Sequence, residues 1–191
     1  MTARTHDAIA FASLISFSVI VPPDNLNLYT LFAAVIGNVV GALVPDMDQA
    51  GNRLWDLLPA GDSLGKIFRR IFYKHRTITH SLLGFVAIFK LLGWLLPKFL
   101  NPSFIDPNIV FTSIMVGYIS HLVADSLTEE GLPLFFPFKL KVGFPPISSW
   151  RIKTGGWFEN LVVLPATGVY LVWFISTFKE ELVSLLRSVS L

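Results

Sequence analysis

Apolar residues in this chain fall in long blocks separated by short polar breaks, with no sustained even alternation. The blocks cover about residues 8–21, 28–45, 82–100, 108–127 and 158–178. Runs approaching ~20 residues match the hydrocarbon thickness of a bilayer, so the pattern predicts about five transmembrane helices. The first block is short and needs tilt partners or local thinning. Turn residues mark the breaks: Pro22-Pro23-Asp24-Asn25, Asn101-Pro102-Ser103 and Asp106-Pro107. Within the second block Gly37 and Gly41 lie four apart, a small-xxx-small spacing that lets helices approach closely.

Two stretches depart from this pattern. Between Ser63 and Lys74, Leu64, Ile67, Phe68, Ile71 and Phe72 recur at helical spacing, with Lys66, Arg69 and Arg70 on the other face. That predicts a basic amphipathic helix lying in the membrane interface. Residues 128–156, rich in Pro and Gly, read as an irregular loop with short extended pieces at 139–142 and 150–153. The expected fold class is therefore all-α: one polytopic membrane-embedded domain over 1–191.

Composition agrees. Hydrophobic residues make up 53% of the 191 residues and charged residues 15%, against about a quarter charged in soluble domains; mean hydropathy is +0.62. A net charge of +2 says little about partners. The lack of cysteine excludes thiolate metal sites, disulfides and a cysteine nucleophile. The N-terminal run includes His6 and Asp7 and has no small-residue cleavage pattern, so it does not read as a signal peptide.

Charge matters more once the spans are traced. Five crossings put His6, Asp46, Asp48, His75, His80, His121, Asp125 and Glu159 on one side, although the sequence scatters them over some 150 residues. Of the fifteen Lys and Arg, eleven share that side: Arg4, Arg53, Lys66, Arg69, Arg70, Lys74, Arg76, Lys139, Lys141, Arg151 and Lys153. The positive-inside rule makes it cytoplasmic, in a cell (inner or plasma) membrane.

His121 and Asp125, four apart on a helix, project from one face and offer a mount for zinc or a similar divalent ion. Asp46 and Asp48 add oxygens, and His6 and His80 add imidazoles. His75 stays open between ligand and acid/base, and Glu159 between ligand, general base and simple helix N-terminal acid. Thr77, Thr79 and Ser81 either orient the imidazoles or cap the third helix. Two or three metals with a nearby Arg76 suit hydrolysis of a phosphoester, Arg76 gripping a phosphate oxygen. The expected partner is a membrane lipid or lipid-like phosphoester. No specific nucleic acid is expected, because the basic residues alternate with apolar ones and form no aromatic groove for bases. A non-enzymatic metal-binding regulator or transporter is the competing class.

Pro45-Asp46-Met47-Asp48, the His75-Arg76-Thr77-Ile78-Thr79-His80-Ser81 stretch and the segment His121 to Gly131, followed by Leu134-Phe135-Phe136-Pro137-Phe138, resemble the YdjM family over nearly the whole chain. The resemblance implies a membrane-bound metal-dependent hydrolase. That family is in turn similar to zinc-dependent phospholipases C and P1-type nucleases, helical enzymes with clustered zinc ions.

Overall fold

A computed structural model describes residues 1–47, 78–138 and 140–189. The basic amphipathic helix expected at 63–74 lies outside these residues, as do Asp48, His75, Arg76 and Lys139.

Six α-helices make up the described part: α1 (Ala3–Ile20), α2 (Leu28–Leu43), α3 (Leu82–Phe99), α4 (Pro107–Ser126), α5 (Leu164–Thr177) and α6 (Lys179–Arg187). A short 3-10 turn, Val44–Asp46, extends α2, and a π-helical turn, Glu159–Val163, leads into α5. Among the described residues, four helical segments are long and apolar enough to cross a membrane: Leu28–Asp46, Leu82–Phe99, Pro107–Ser126 and Glu159–Thr177. α1 is of similar length but opens on Arg4, His6 and Asp7, and is not among the four.

Helix ends follow the local chemistry. Asn27 caps α2 by accepting from the Thr30 N–H, and Asp106 caps α4 ahead of Pro107. Ser81 accepts from the Gly84 N–H at 3.1 Å, so it caps α3. On the side away from the histidines, the Asp106 N–H donates to the Thr30 hydroxyl and joins the start of α2 to the start of α4.

α4 is the central element, burying Val110, Ser113, Ile114, Met115, Gly117 and Tyr118 along its length. Its main partner is α2, and α1 lies against both. The α2–α4 seam is made of backbone: a Cβ on Gly41 would meet the Ile114 carbonyl oxygen at 2.0 Å, and one on Gly117 the Asn38 carbonyl oxygen at 2.1 Å. Only glycine permits that approach, as the Gly37/Gly41 spacing predicts. Asn38, buried in the seam, donates to the Ser113 carbonyl at 3.2 Å. α3 and α5 sit outside this core, with most side chains exposed among the described residues.

The loop after α4 has no strand among the described residues. The extended pieces expected there reduce to two isolated bridges, Thr128 with Ile152 and Leu132 with Val142. Arg151 ties the loop together through the carbonyls of Gly143, Pro145 and Pro146. A backbone bond from Leu82 to the Leu134 carbonyl fastens it to the start of α3.

Candidate metal centre

The glycine seam fixes where the ends of α2 and α4 fall. Asp46 follows Gly41 by just over a turn, and His121 follows Gly117 by one turn, so both arrive at the same end of the core. α1 contributes His6 from its first turns, and the turn before α3 contributes His80. The side chains converge. His80 Nε2 lies 3.4 Å from Asp46 Oδ1 and 3.5 Å from Asp125 Oδ2. His121 Nε2 lies 3.8 Å from Asp46 Oδ1 and 3.6 Å from Asp125 Oδ2. Asp125 turns its other oxygen to His6 Nε2, at 3.1 Å, and to the Met1 amino group, at 2.5 Å. The rings of His6 and His121 stack with centroids 3.7 Å apart.

These spacings are informative. N–H···O hydrogen bonds run about 2.7–3.2 Å, and the four contacts of His80 and His121 are all longer. Bonds of about 2.0–2.1 Å to one tetrahedral ion place neighbouring donor atoms about 3.3 Å apart, close to what is seen. His6, His121 and Asp125 form one group able to hold an ion, and Asp46, His80 and His121 a second. Every member is buried except Asp46, whose side chain keeps 21% of its surface exposed. Burying the Asp125 carboxylate costs several kcal/mol unless a cation compensates, and the Met1 amino group supplies one at its outer oxygen.

Outer contacts orient the rings. The His121 Nδ1–H donates to the Ala42 carbonyl at 2.7 Å, which leaves the Nε2 lone pair facing inward. His80 Nδ1 lies 3.3 Å from the Thr79 hydroxyl, and Tyr118 donates its hydroxyl proton to the Thr79 carbonyl. The carboxylates around His80 act on its charge. Burial alone would lower its pKa, but the nearby carboxylates of Asp125 and Asp46 outweigh it and hold the pKa above the ordinary 6.5.

Of the residues singled out in the sequence, His6, Asp46, His80, His121 and Asp125 come together. Glu159 is buried beside them but spends its oxygens elsewhere: Oε1 accepts from the Thr2 N–H at 2.6 Å and the Thr2 hydroxyl at 2.8 Å, and Oε2 from the Gly155 N–H at 2.7 Å. It belongs to neither ion-binding group. Four contributors lie outside that set, the Met1 amino group on Asp125 among them. Tyr118 was legible, one helical turn before His121 on the same face; Thr2 and the Ala42 carbonyl carry no local signal.

The family described as YdjM inner membrane protein matches residues 1–183. An uncharacterized protein, YvsG, from Bacillus subtilis is 30% identical over 178 residues, which is 93% of this chain and 97% of that protein. The inner membrane protein YdjM of Escherichia coli is 31% identical over 148 residues, or 75% of this chain and 67% of that protein. No solved structure matches. With apolar helices long enough to cross a bilayer and a family match over nearly its whole length, this chain is a multi-pass membrane protein and belongs to the YdjM family.

Proposed function

We propose that this protein is a metal-dependent hydrolase that cleaves a phosphoester of a membrane lipid at the cytoplasmic face. The observation that carries the reading is the donor spacing around His80 and His121, too long for hydrogen bonds and suited to a shared divalent ion. Asp46, His80 and His121 would hold that ion, zinc by the nitrogen and oxygen donor set. Asp125, with its second oxygen toward His6, would join His6 and His121 in holding another. When bound, such ions polarise a phosphoryl oxygen and make water a stronger nucleophile.

The chain's own residues do the rest. Asp46 marks the open edge, where a headgroup can reach the cluster. Glu159 positions the first turn of α1, and His6 with it; this role fits its engaged oxygens better than that of a free general base. His75 and Arg76 remain the candidates for proton transfer and for gripping phosphate. The placement of donors at helix ends favours a hydrolase over a transporter, whose ligands belong near mid-bilayer at broken helices. With α1 taken as a fifth crossing, these ends would fall on the side carrying eleven of the fifteen basic residues. Kinship with zinc-dependent phospholipases C and P1-type nucleases, also helical and built on clustered zinc, belongs to the same proposal.

Two measurements test it. Elemental analysis of purified protein is expected to find zinc or another divalent ion, lost in His121→Ala and Asp125→Ala; unchanged metal content in both would remove the centre. Incubation with a panel of phospholipids is expected to release phosphate or a phosphorylated headgroup in the wild type and none in His80→Ala. A metal-loaded wild type inert on the whole panel would leave a metal-binding membrane protein without this activity.

A further inference from the structure

A groove of about 720 Å³ runs between α1 and the π-turn with α5. Ile9, Ser13 and Ile20 stand on one wall, and Val162, Ala166 and Tyr170 on the other. Its upper end adjoins the metal centre: His6 is one turn before Ile9 on α1, and Glu159 one turn before Val162 on the opposing segment. Space is left because the walls carry small residues, Ala12, Ser13 and Ala166, where larger ones would close them.

Three of the groove's four hydroxyls are engaged within the protein. Ser16 shares a hydrogen bond with the Tyr170 hydroxyl at 2.7 Å and donates to the Ala12 carbonyl at 2.8 Å, and Thr167 donates to the Val163 carbonyl at 2.9 Å. What the walls offer a ligand is hydrocarbon. From Ile9 to Ile20 the helix rises about 16 Å at ~1.5 Å per residue, against about 15 Å for one leaflet, half of a ~30 Å hydrocarbon core.

We infer that this groove holds one acyl chain of the lipid whose phosphate lies at the metal centre. The occupant is amphipathic in the same order as the site: an anionic group where cationic ions are held, then a chain one leaflet long beside apolar walls. This rests on reading the cluster as one that takes a lipid phosphoester. It adds a substrate requirement, a long chain, which the donor set alone does not impose.

The test uses full-length protein in phosphatidylcholine nanodiscs, with a long-chain phosphatidic acid bearing a diazirine in one acyl chain. After photolysis, mass spectrometry is expected to find adducts concentrated on Ile9–Ile20 and Val162–Tyr170 and suppressed by unlabelled phosphatidic acid. Ser13→Trp and Ala166→Trp, on opposite walls, are each expected to cut adduct yield about tenfold or more, equivalent to ~1.4 kcal/mol of binding. Val169→Trp, exposed on another face of α5, is expected to leave it unchanged. Metal content and melting temperature verify folding, and either wall variant suffices if the other misfolds. Adducts spread equally over the outer face of α3, at Leu83, Leu91 and Trp94, would mean bulk lipid contact and overturn the inference. So would unchanged adducts in folded wall variants, or a change of oligomeric state in their place, which would assign the groove to a second copy. The two readings fail separately. Competable groove adducts without hydrolysis of any phosphoester would sink the hydrolase and keep the groove. Hydrolysis of long-chain lipid that needs His121 but ignores both tryptophans would do the reverse.

Discussion

At His121 the two ring nitrogens have separate tasks, since Nδ1–H is committed to the Ala42 carbonyl and only Nε2 faces the carboxylates. At His80 the Thr79 hydroxyl lies 3.3 Å from Nδ1. Removing such an outer partner typically costs about 10–100-fold in metal affinity. Thr79→Val is accordingly expected to weaken binding toward the lower end of that range in a chelator competition, with full loading at saturating metal; undiminished affinity would make Thr79 a bystander. A pH dependence follows from the same residue. In metal-free protein the raised pKa of His80 stabilises the fold fully below about pH 6.5, and this gain is lost as pH climbs through the higher folded value. A divalent ion requires the neutral ring, so its affinity increases over that same window. Melting temperatures with and without metal are therefore expected to diverge as pH rises above 6.5. A gap that stays constant would take His80 out of the ligand set.

Among the elements, α2 and α4 set the register of everything at the site end, because their contact is backbone on backbone at Gly41 and Gly117. Gly41→Leu would drive a side chain into the Ile114 carbonyl. Overpacking of that kind costs about 1–3 kcal/mol and sometimes more. The expected result is a lowered melting temperature together with weaker metal binding, since Asp46 and His121 shift along with their helices. Wild-type values for both would show that the seam tolerates separation. The small-residue spacing made the α2 side of this contact readable in the sequence. The span-end positions of His6, Asp46, His80, His121 and Asp125 made their meeting readable too, because a chain that crosses back and forth has few places to put them. Other features were not readable. Glu159 attracts attention as an acid at a helix start, but its partners Thr2 and Gly155 are ordinary loop and cap residues that no periodicity selects. Ser81 could orient an imidazole or cap a helix, and only the 3.1 Å bond to Gly84 decided it. The groove beside α5 depends on small residues in two distant segments, which sequence spacing cannot bring together.

For the molecule as a whole, the polarity of the bundle is what function depends on, and it can be measured directly because the chain has no cysteine to remove. Ser148→Cys in the loop after α4 and Ser103→Cys in the turn between α3 and α4 are both exposed. A membrane-impermeant maleimide is expected to label position 103 on intact cells and position 148 only after permeabilisation. Identical behaviour at both would end the two-sided arrangement. The loop offers Trp150 to the surroundings and Trp157 follows it at the start of the next helical segment, amphipathic aromatic residues of the kind enriched at headgroup depth. The bond from Thr2 to Glu159 joins positions 157 residues apart, and this bears on biosynthesis. All five gathered metal donors are synthesised before residue 155, yet the clasp that seats the first turn of α1 comes only with the last membrane helix. A chain released before that segment would carry all five side chains with the start of α1 unclasped. The first turn of α1 is thus seated only after every gathered donor has been made.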